Sequence, residues 1–179
     1  VEATDLVVRG TRERASDGRF GRGVSVQDGA HLALSRALLE DNRDAGLVGV
    51  GTGTSVEATD LVVRGTREQA SDGLSGRGIV VEPGAHLTLS RAFVEDNREF
   101  GLSVNGTDAS IEATDVVVRG TREQASDGTR GWGIFVQPGA HLALSRALVE
   151  DNREGGLIAG GTGTSVEATD VVVRGTRER

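Results

Sequence analysis

Three kinds of side chain in this sequence could do chemistry, and two of them recur at a fixed interval. His31, His86 and His141 each stand in a Gly-Ala-His-Leu or Asp-Gly-Ala-His-Leu context, at a constant offset of 55 in the numbering. An imidazole can ligate a metal or move a proton. Asp17, Asp72 and Asp127 each lie in Ala-Ser-Asp-Gly at the same offset, and could offer oxygen to Ca²⁺. Such an ion needs six to eight oxygens, and each segment supplies one carboxylate and a few carbonyls. Phe100, Trp132 and Phe135 instead interrupt the repetition: Trp132 stands where Arg22 and Arg77 stand in the other copies. A group of exposed aromatic rings there would make a platform for a sugar ring. Cys is absent, which removes thiol nucleophiles and thiolate metal sites.

The elements that must position these residues are set by the same interval. Val-Glu-Ala-Thr-Asp-Leu-Val-Val-Arg-Gly begins at Val1 and Val56, and near-copies begin at Ile111 and Val166. The chain thus divides into repeats 1–55, 56–110 and 111–165 with a partial copy at 166–179, all within one expected domain spanning 1–179. Each repeat splits again into two units of similar pattern, as at 78–100 and 101–132, with lengths of 23 and 32. The longer unit is expected to carry a nine-residue insert such as Gln-Ala-Ser-Asp-Gly-Thr-Arg-Gly-Trp. Apolar residues alternate with period two, as in Ile79 and Val81, Leu87 and Leu89, Ala92 and Val94. The breaks between runs are Gly, Pro-Gly and Asp-Gly. This is strand periodicity with turn punctuation. Three short strands per unit, stacked unit on unit, predict a parallel β-solenoid of about seven coils with a rise of roughly 4.8 Å each.

Stacking places equivalent residues in columns. One column holds Asp5, Arg36, Asp60, Arg91, Asp115, Arg146 and Asp170, and another holds Arg9, Glu40, Arg64, Glu95, Arg119, Glu150 and Arg174. Signs alternate in both. Asp60, Arg91, Asp115, Arg146, Arg64, Glu95, Arg119 and Glu150 therefore form an expected register ladder, because a slip of one coil would bring like charges together. Between these columns runs an apolar stripe expected to face outward: Val7, Leu38, Val62, Phe93, Val117, Leu148 and Val172. Such a stripe marks a contact surface unless the inserts fold over it. Thr59, Ser90, Thr114 and Ser145 belong to a hydroxyl column, and Thr66, Asn97, Thr121 and Asn152 to a second polar column. Both are expected to be internal hydrogen-bonded ladders. A further column pairs Arg12, Arg43, Arg67, Arg98, Arg122, Arg153 and Arg177 with the acids Glu13, Asp44, Glu68, Glu99, Glu123, Glu154 and Glu178. The outward positions of the first strand, Ser25, Val48, Val80, Ser103, Phe135 and Ile158, carry no carboxylate pair.

The pattern GIxVxxGAxLxLxxAxVxxNxxxGI, seen in GIVVEPGAHLTLSRAFVEDNREFGL (78–102) and GIFVQPGAHLALSRALVEDNREGGL (133–157), resembles right-handed parallel β-helix repeats of the pectate-lyase-like superfold. It covers essentially the whole chain. It is similar to repeat proteins of bacterial cell surfaces. The resemblance implies an all-β right-handed solenoid in a secreted or surface-attached protein. That superfold hosts lyases, hydrolases and adhesins, so fold alone does not name the activity. Many of its members carry Asn at the turn after the second strand, where this chain has Asp and Arg.

A catalytic site should break a repeat, and only the aromatic residues do. The expectation is therefore no catalytic residue and no cofactor, with Ca²⁺ at the Asp17, Asp72 and Asp127 loops as the alternative. The three histidines lie two coils, or roughly 10 Å, apart, too far for one metal site, and read as structural. The expected function is a rod, stalk or adhesive spacer. Its expected partners are copies of itself or neighbouring β-helical chains. A carbohydrate-binding module at Trp132 is the alternative, then a polysaccharide lyase or glycoside hydrolase with its catalytic residues elsewhere. The net charge of −7, with acids and arginines interspersed, argues against nucleic acid. No run approaches the roughly 18 apolar residues of a membrane span. The first residue is Val1 and no leader pattern follows it, so the sequence reads as a mature or internal fragment. Open coils at either end would need further repeats, caps or neighbours to cover them.

Overall fold

The computed structural model describes residues 1–176, so Arg177 and Glu178 of the Arg and acidic columns lie outside the described residues. Its strands are β1 (Glu2–Thr4), β2 (Val7–Arg9), β3 (Val24–Gln27), β4 (His31–Glu40), β5 (Ala45–Val50), β6 (Thr54–Arg64), β7 (Arg77–Val81), β8 (Ala85–Glu95), β9 (Phe100–Val104), β10 (Ser110–Arg119), β11 (Trp132–Val136), β12 (His141–Glu150), β13 (Gly155–Ala159) and β14 (Ser165–Arg174). No helix long and apolar enough to cross a membrane occurs among the described residues.

The strands form two sheets, and every pairing is parallel. One sheet runs β1-β4-β6-β8-β10-β12-β14 with β2 also on β4; the other runs β3-β5-β7-β9-β11-β13. From β3 onward successive strands alternate between the sheets, so the chain winds from one to the other and advances one rung at a time. This is an all-β arrangement consistent with a parallel β-solenoid. One continuous apolar core lies between the sheets, from Val26 to Val149. Ile79, Val94, Leu102, Val118, Ile134 and Val149 in it are wholly shielded from solvent.

Two features differ from the expected three-strand coil. The second and third strands are one continuous bent strand in β4, β6, β8, β10, β12 and β14. The bend falls on the charged column: Arg36, Asp60, Arg91, Asp115 and Arg146 all have φ between 48° and 56°. That left-handed conformation suits Asp and disfavours most other side chains. Each arginine at the bend is gripped by an Asp of the neighbouring rung.

The insert also divides. Val26 pairs with Gly49, an offset of 23, while Leu32 pairs with Val56 and Leu39 with Val63, offsets of 24. Leu47 pairs with Ile79, an offset of 32. Of the nine extra residues of the long unit, eight therefore follow its long strand and one lies at the opposite turn, before that strand.

At the start of each strand of the smaller sheet from β5 onward, the inward position is a glycine because the wall is too close for a side chain. A Cβ on Gly101 would sit 2.6 Å from Val118 Cγ1 and 2.7 Å from the Gly133 carbonyl oxygen. Gly101→Ala is therefore expected to destabilise the protein by about 1–3 kcal/mol through overpacking, read as a lower midpoint in chemical denaturation.

Candidate functional site

Asn42, Asn97 and Asn152 are fully buried at the turn that follows β4, β8 and β12. Each Asn accepts a backbone N–H from the neighbouring rung, at 3.0 Å from Thr11, 3.0 Å from Thr66 and 3.1 Å from Thr121. Each side-chain amide donates in turn to the carbonyl of Val8, Val63 or Val118. The Asn–Thr column is thus an internal ladder, as its spacing predicts. The hydroxyls of Thr66 and Thr121 have no partner in it. The Ser–Thr column is different. It lies on the outward side of the bent strands and is half-buried, with Thr114 and Ser145 in contact at 2.9 Å. Its inward expectation failed because alternation gives the inward place to Ala58, Leu89, Ala113 and Leu144.

The charged columns are paired rather than continuous. Arg36 grips Asp5, Arg91 grips Asp60 and Arg146 grips Asp115, each through two hydrogen bonds of 2.6–3.0 Å. These guanidinium bonds hold the carboxyls of Asp5, Asp60 and Asp115 below their usual range. In the second column Glu40 bonds Arg64 and Arg9, Glu95 bonds Arg119, and Glu150 bonds Arg174. The first column therefore bridges β6 to β8 and β10 to β12, while the second bridges β4 to β6, β8 to β10 and β12 to β14. Consecutive rungs from β4 to β14 are tied by one column or the other in turn.

A set of contacts not visible in the sequence lies where the inserts meet the smaller sheet. Asp44, 2% exposed, precedes β5. It accepts from Arg22 at 2.9 Å, Arg77 at 3.0 Å and Gln69 at 3.1 Å. Burial pushes its carboxyl up, but the bonds and charges of Arg22 and Arg77 outweigh this and hold it below the usual carboxylate range. Glu99, one repeat later, is likewise buried and pairs with Arg130, with Gln124 against both. In the third repeat Trp132 donates its indole N–H to Glu154 at 3.1 Å. The residue that ends each insert, Arg22, Arg77 or Trp132, therefore reaches an acid of the short coil. Each insert is clamped by a side chain from a neighbouring coil, which is why sequence proximity gives no sign of it. The one available signal was the recurrence of an acid at 44, 99 and 154 beside an insert flanked by Arg or Gln.

The outer face of the smaller sheet, read as an open position, is largely covered. Val48, Val80 and Ser103 are 3% exposed or less, and Val48 and Val80 form a second small apolar cluster with Ala45. Ile158 and Ser25 remain exposed. The aromatic trio extends this layer. Ring centroids lie 5.7 Å apart for Phe100–Trp132, 5.0 Å for Phe100–Phe135 and 4.6 Å for Trp132–Phe135. Phe100 is buried and carries Arg130 above its ring at 5.6 Å. The rings are tilted into one another, so they pack as a small core under the third insert and do not present one flat face.

The other candidate residues also have local partners. His31, His86 and His141 each meet a serine of the next rung, Ser55, Ser110 and Ser165, at 2.5–2.8 Å. Asp17 bonds Arg14 at 2.5 Å and the Arg19 N–H at 3.2 Å. Asp72 accepts the Leu74 N–H, and Asp127 accepts the Thr129 N–H and hydroxyl. These are the side-chain-to-backbone bonds of Asp-led turns. A cation at Asp17 would have to displace Arg14. No group of three or more His, Asp or Glu among the described residues is disposed to hold a metal.

The stripe Val7, Leu38, Val62, Phe93, Val117, Leu148 and Val172 stays uncovered. Val7, Phe93 and Val172 are 57%, 46% and 51% exposed, and the others are half-buried. The inserts lie elsewhere and stack on one another: Gly18 approaches Ser71, and Gly73 approaches Ser126. No family model matches the chain, no curated protein matches it, and no solved structure matches it.

Proposed function

We propose that this chain is a structural rod: a right-handed parallel β-helix of the pectate-lyase-like kind, about seven coils long, serving as a stalk or adhesive spacer of a secreted or cell-surface bacterial protein. The observation that carries this reading is where the charges go. The Asp–Arg and Glu–Arg columns, the buried Asn ladder and the insert clamps all tie one rung to the next. A surface depression of about 400 Å³ follows the same rule: its Arg67, Arg98 and Arg122 face Asp41, Glu68 and Asp96. An enzyme site would instead gather groups left free for a substrate. Right-handed winding follows from the strong bias of parallel crossovers. In small-angle X-ray scattering a chain carrying one further two-coil repeat should lengthen by about 10 Å along one axis at an unchanged cross-section, with Ca²⁺ or a chelator leaving both profile and melting temperature unchanged. An added repeat that thickens the particle in all directions, or a melting temperature that falls with chelator, would count against this reading.

The second reading, a carbohydrate-binding module, rests on Trp132 and Phe135, which are only half-buried. Trp132 is spent on Glu154 and on its neighbouring rings, so Trp132→Ala is expected to lower stability by about 2–4 kcal/mol without changing retention on a glycan array. Specific binding by the parent that disappears in Trp132→Ala would replace the rod reading with this one. Turnover of polygalacturonate or alginate would instead support a lyase or hydrolase.

A further inference from the structure

The exposed stripe is flanked by a charge pattern with a symmetry of its own. On β6 the order along the strand is Asp60, Val62, Arg64. On β8 it is Arg91, Phe93, Glu95. In each rung the two residues flanking the apolar one therefore carry opposite charge, and the order reverses from rung to rung. A two-fold axis parallel to the rod swaps left and right flanks while keeping each rung at its own height. Asp60 then faces the Arg64 position of a second copy, and Arg91 faces its Glu95. Every rung meets an opposite charge on both sides of the stripe.

A two-fold axis across the rod behaves differently. It sets left flank against left flank and inverts the rung order. With full overlap of the seven rungs this opposes Asp to Asp and Arg to Arg, and complementarity returns only when one rung is left unpaired. Sliding the parallel pair by one rung also brings like charges together.

We infer that this face is an isologous contact on which a second copy of the chain docks, the two rods side by side, parallel and in register, stripe on stripe. This rests on the rod reading and adds to it the partner, the orientation and the register. A closed two-fold contact needs one self-complementary patch, and the flanking charges supply specificity and register more than affinity. The face is modest. Seven rungs span about 30 Å and four residues across span about 13 Å, or a few hundred Å² per copy against roughly 800 Å² in a standard stable interface. The pair should accordingly form at about 100 µM rather than at nanomolar concentration. A longer run of the same repeats would strengthen it with each rung.

Sedimentation velocity over a concentration series tests this. The parent chain should pass from monomer to dimer, and Phe93→Asp should weaken pairing about tenfold or more. Two double variants give an independent test. D60R/R91D and R64E/E95R each put like charges across the contact, so each alone should pair about tenfold more weakly than the parent. Mixed one to one, they should recover parental affinity, because the reversed left flank of one meets the reversed right flank of the other. Antiparallel rods would not recover, since there left flank meets left flank. A parent that stays monomeric up to about 1 mM, a Phe93→Asp variant that pairs normally, or a mixture that fails to recover would each overturn the inference. A chain that lengthens along one axis with each added repeat but never pairs would do so while leaving the rod reading standing. An added two-coil repeat that thickens the particle in all directions in scattering would overturn the rod reading itself.

Discussion

Asn97→Ala is expected to lower stability by about 2–4 kcal/mol, while Thr66→Val, one rung away in the same column, is expected to change it by less than about 1 kcal/mol. Asn97 is fully buried. Its carbonyl accepts from the Thr66 N–H at 3.0 Å and its amide donates to the Val63 carbonyl at 3.2 Å. Truncation strands the Thr66 N–H, which costs about 1–3 kcal/mol when buried without a partner, and removes a bond from the Val63 carbonyl. Thr66 differs because its side-chain hydroxyl is buried and unpartnered, and what Asn97 accepts is the backbone N–H of residue 66, which Val keeps. Valine has nearly the same shape and removes the orphan. Chemical denaturation of the two variants against the parent reads the contrast directly. If Asn97→Ala melts like the parent, the ladder is decoration and not a fastening between rungs.

Asp44→Ala should be the other severe substitution, at about 3–5 kcal/mol, the cost of breaking a buried ion pair by removing one partner. Three groups converge on this carboxylate, and two of them, Arg22 and Arg77, are only 25% and 24% exposed. The loss should be local first. Hydrogen exchange should accelerate in the inserts 14–22 and 69–77 before it accelerates in β6 or β8, since stacked repeats open in units.

Acid should mimic the substitution. The Asp44 carboxyl is held below its ordinary range in the folded protein. Its contribution is therefore complete above the ordinary Asp pKa of about 3.9 and lost as pH falls through the lower folded value. The exposed pairs of Asp5, Asp60 and Asp115 shift in the same direction. Stability should be flat from neutral pH down to the upper edge of the carboxylate range and fall below it. Asp44→Ala should show a shallower fall than the parent. An acid profile identical in the two proteins would mean that Asp44 carries no share of it.

The repeat interval, the inward-facing strand positions, the charge columns and the outward stripe were all legible in the sequence by itself. They are consequences of periodicity. Alternation of two along a strand and recurrence of 55 along the chain determine which residues share a face and which share a height. Periodicity alone therefore puts Val62 and Phe93 on one stripe and Asn97 beside Thr66.

What only the tertiary structure decided depends on where a turn sends the chain and which side chain a distant loop meets. Arg91 shares the left-handed backbone of Asp60, Asp115 and the rest of its column, where each long strand bends, and Asp60 on the preceding rung holds its guanidinium at 2.7 and 3.0 Å. No local propensity of arginine announces that, so a bent continuous strand looked like two strands and a turn. Val48 and Val80, outward by alternation, are covered in the folded protein. Asp44, one acid among many in a regular column, becomes the clamp for two inserts. Trp132, the most conspicuous break in the repeat, turns out to take the place of Arg22 and Arg77, donating to Glu154 where they reach Asp44. Composition and spacing mark it as unusual; only packing against Phe100 and Phe135 shows that its ring is turned into the protein. The same holds for the face that stayed bare. The sequence placed the stripe on the outside, and the stacking of the inserts upon one another, Gly18 on Ser71 and Gly73 on Ser126, left it exposed.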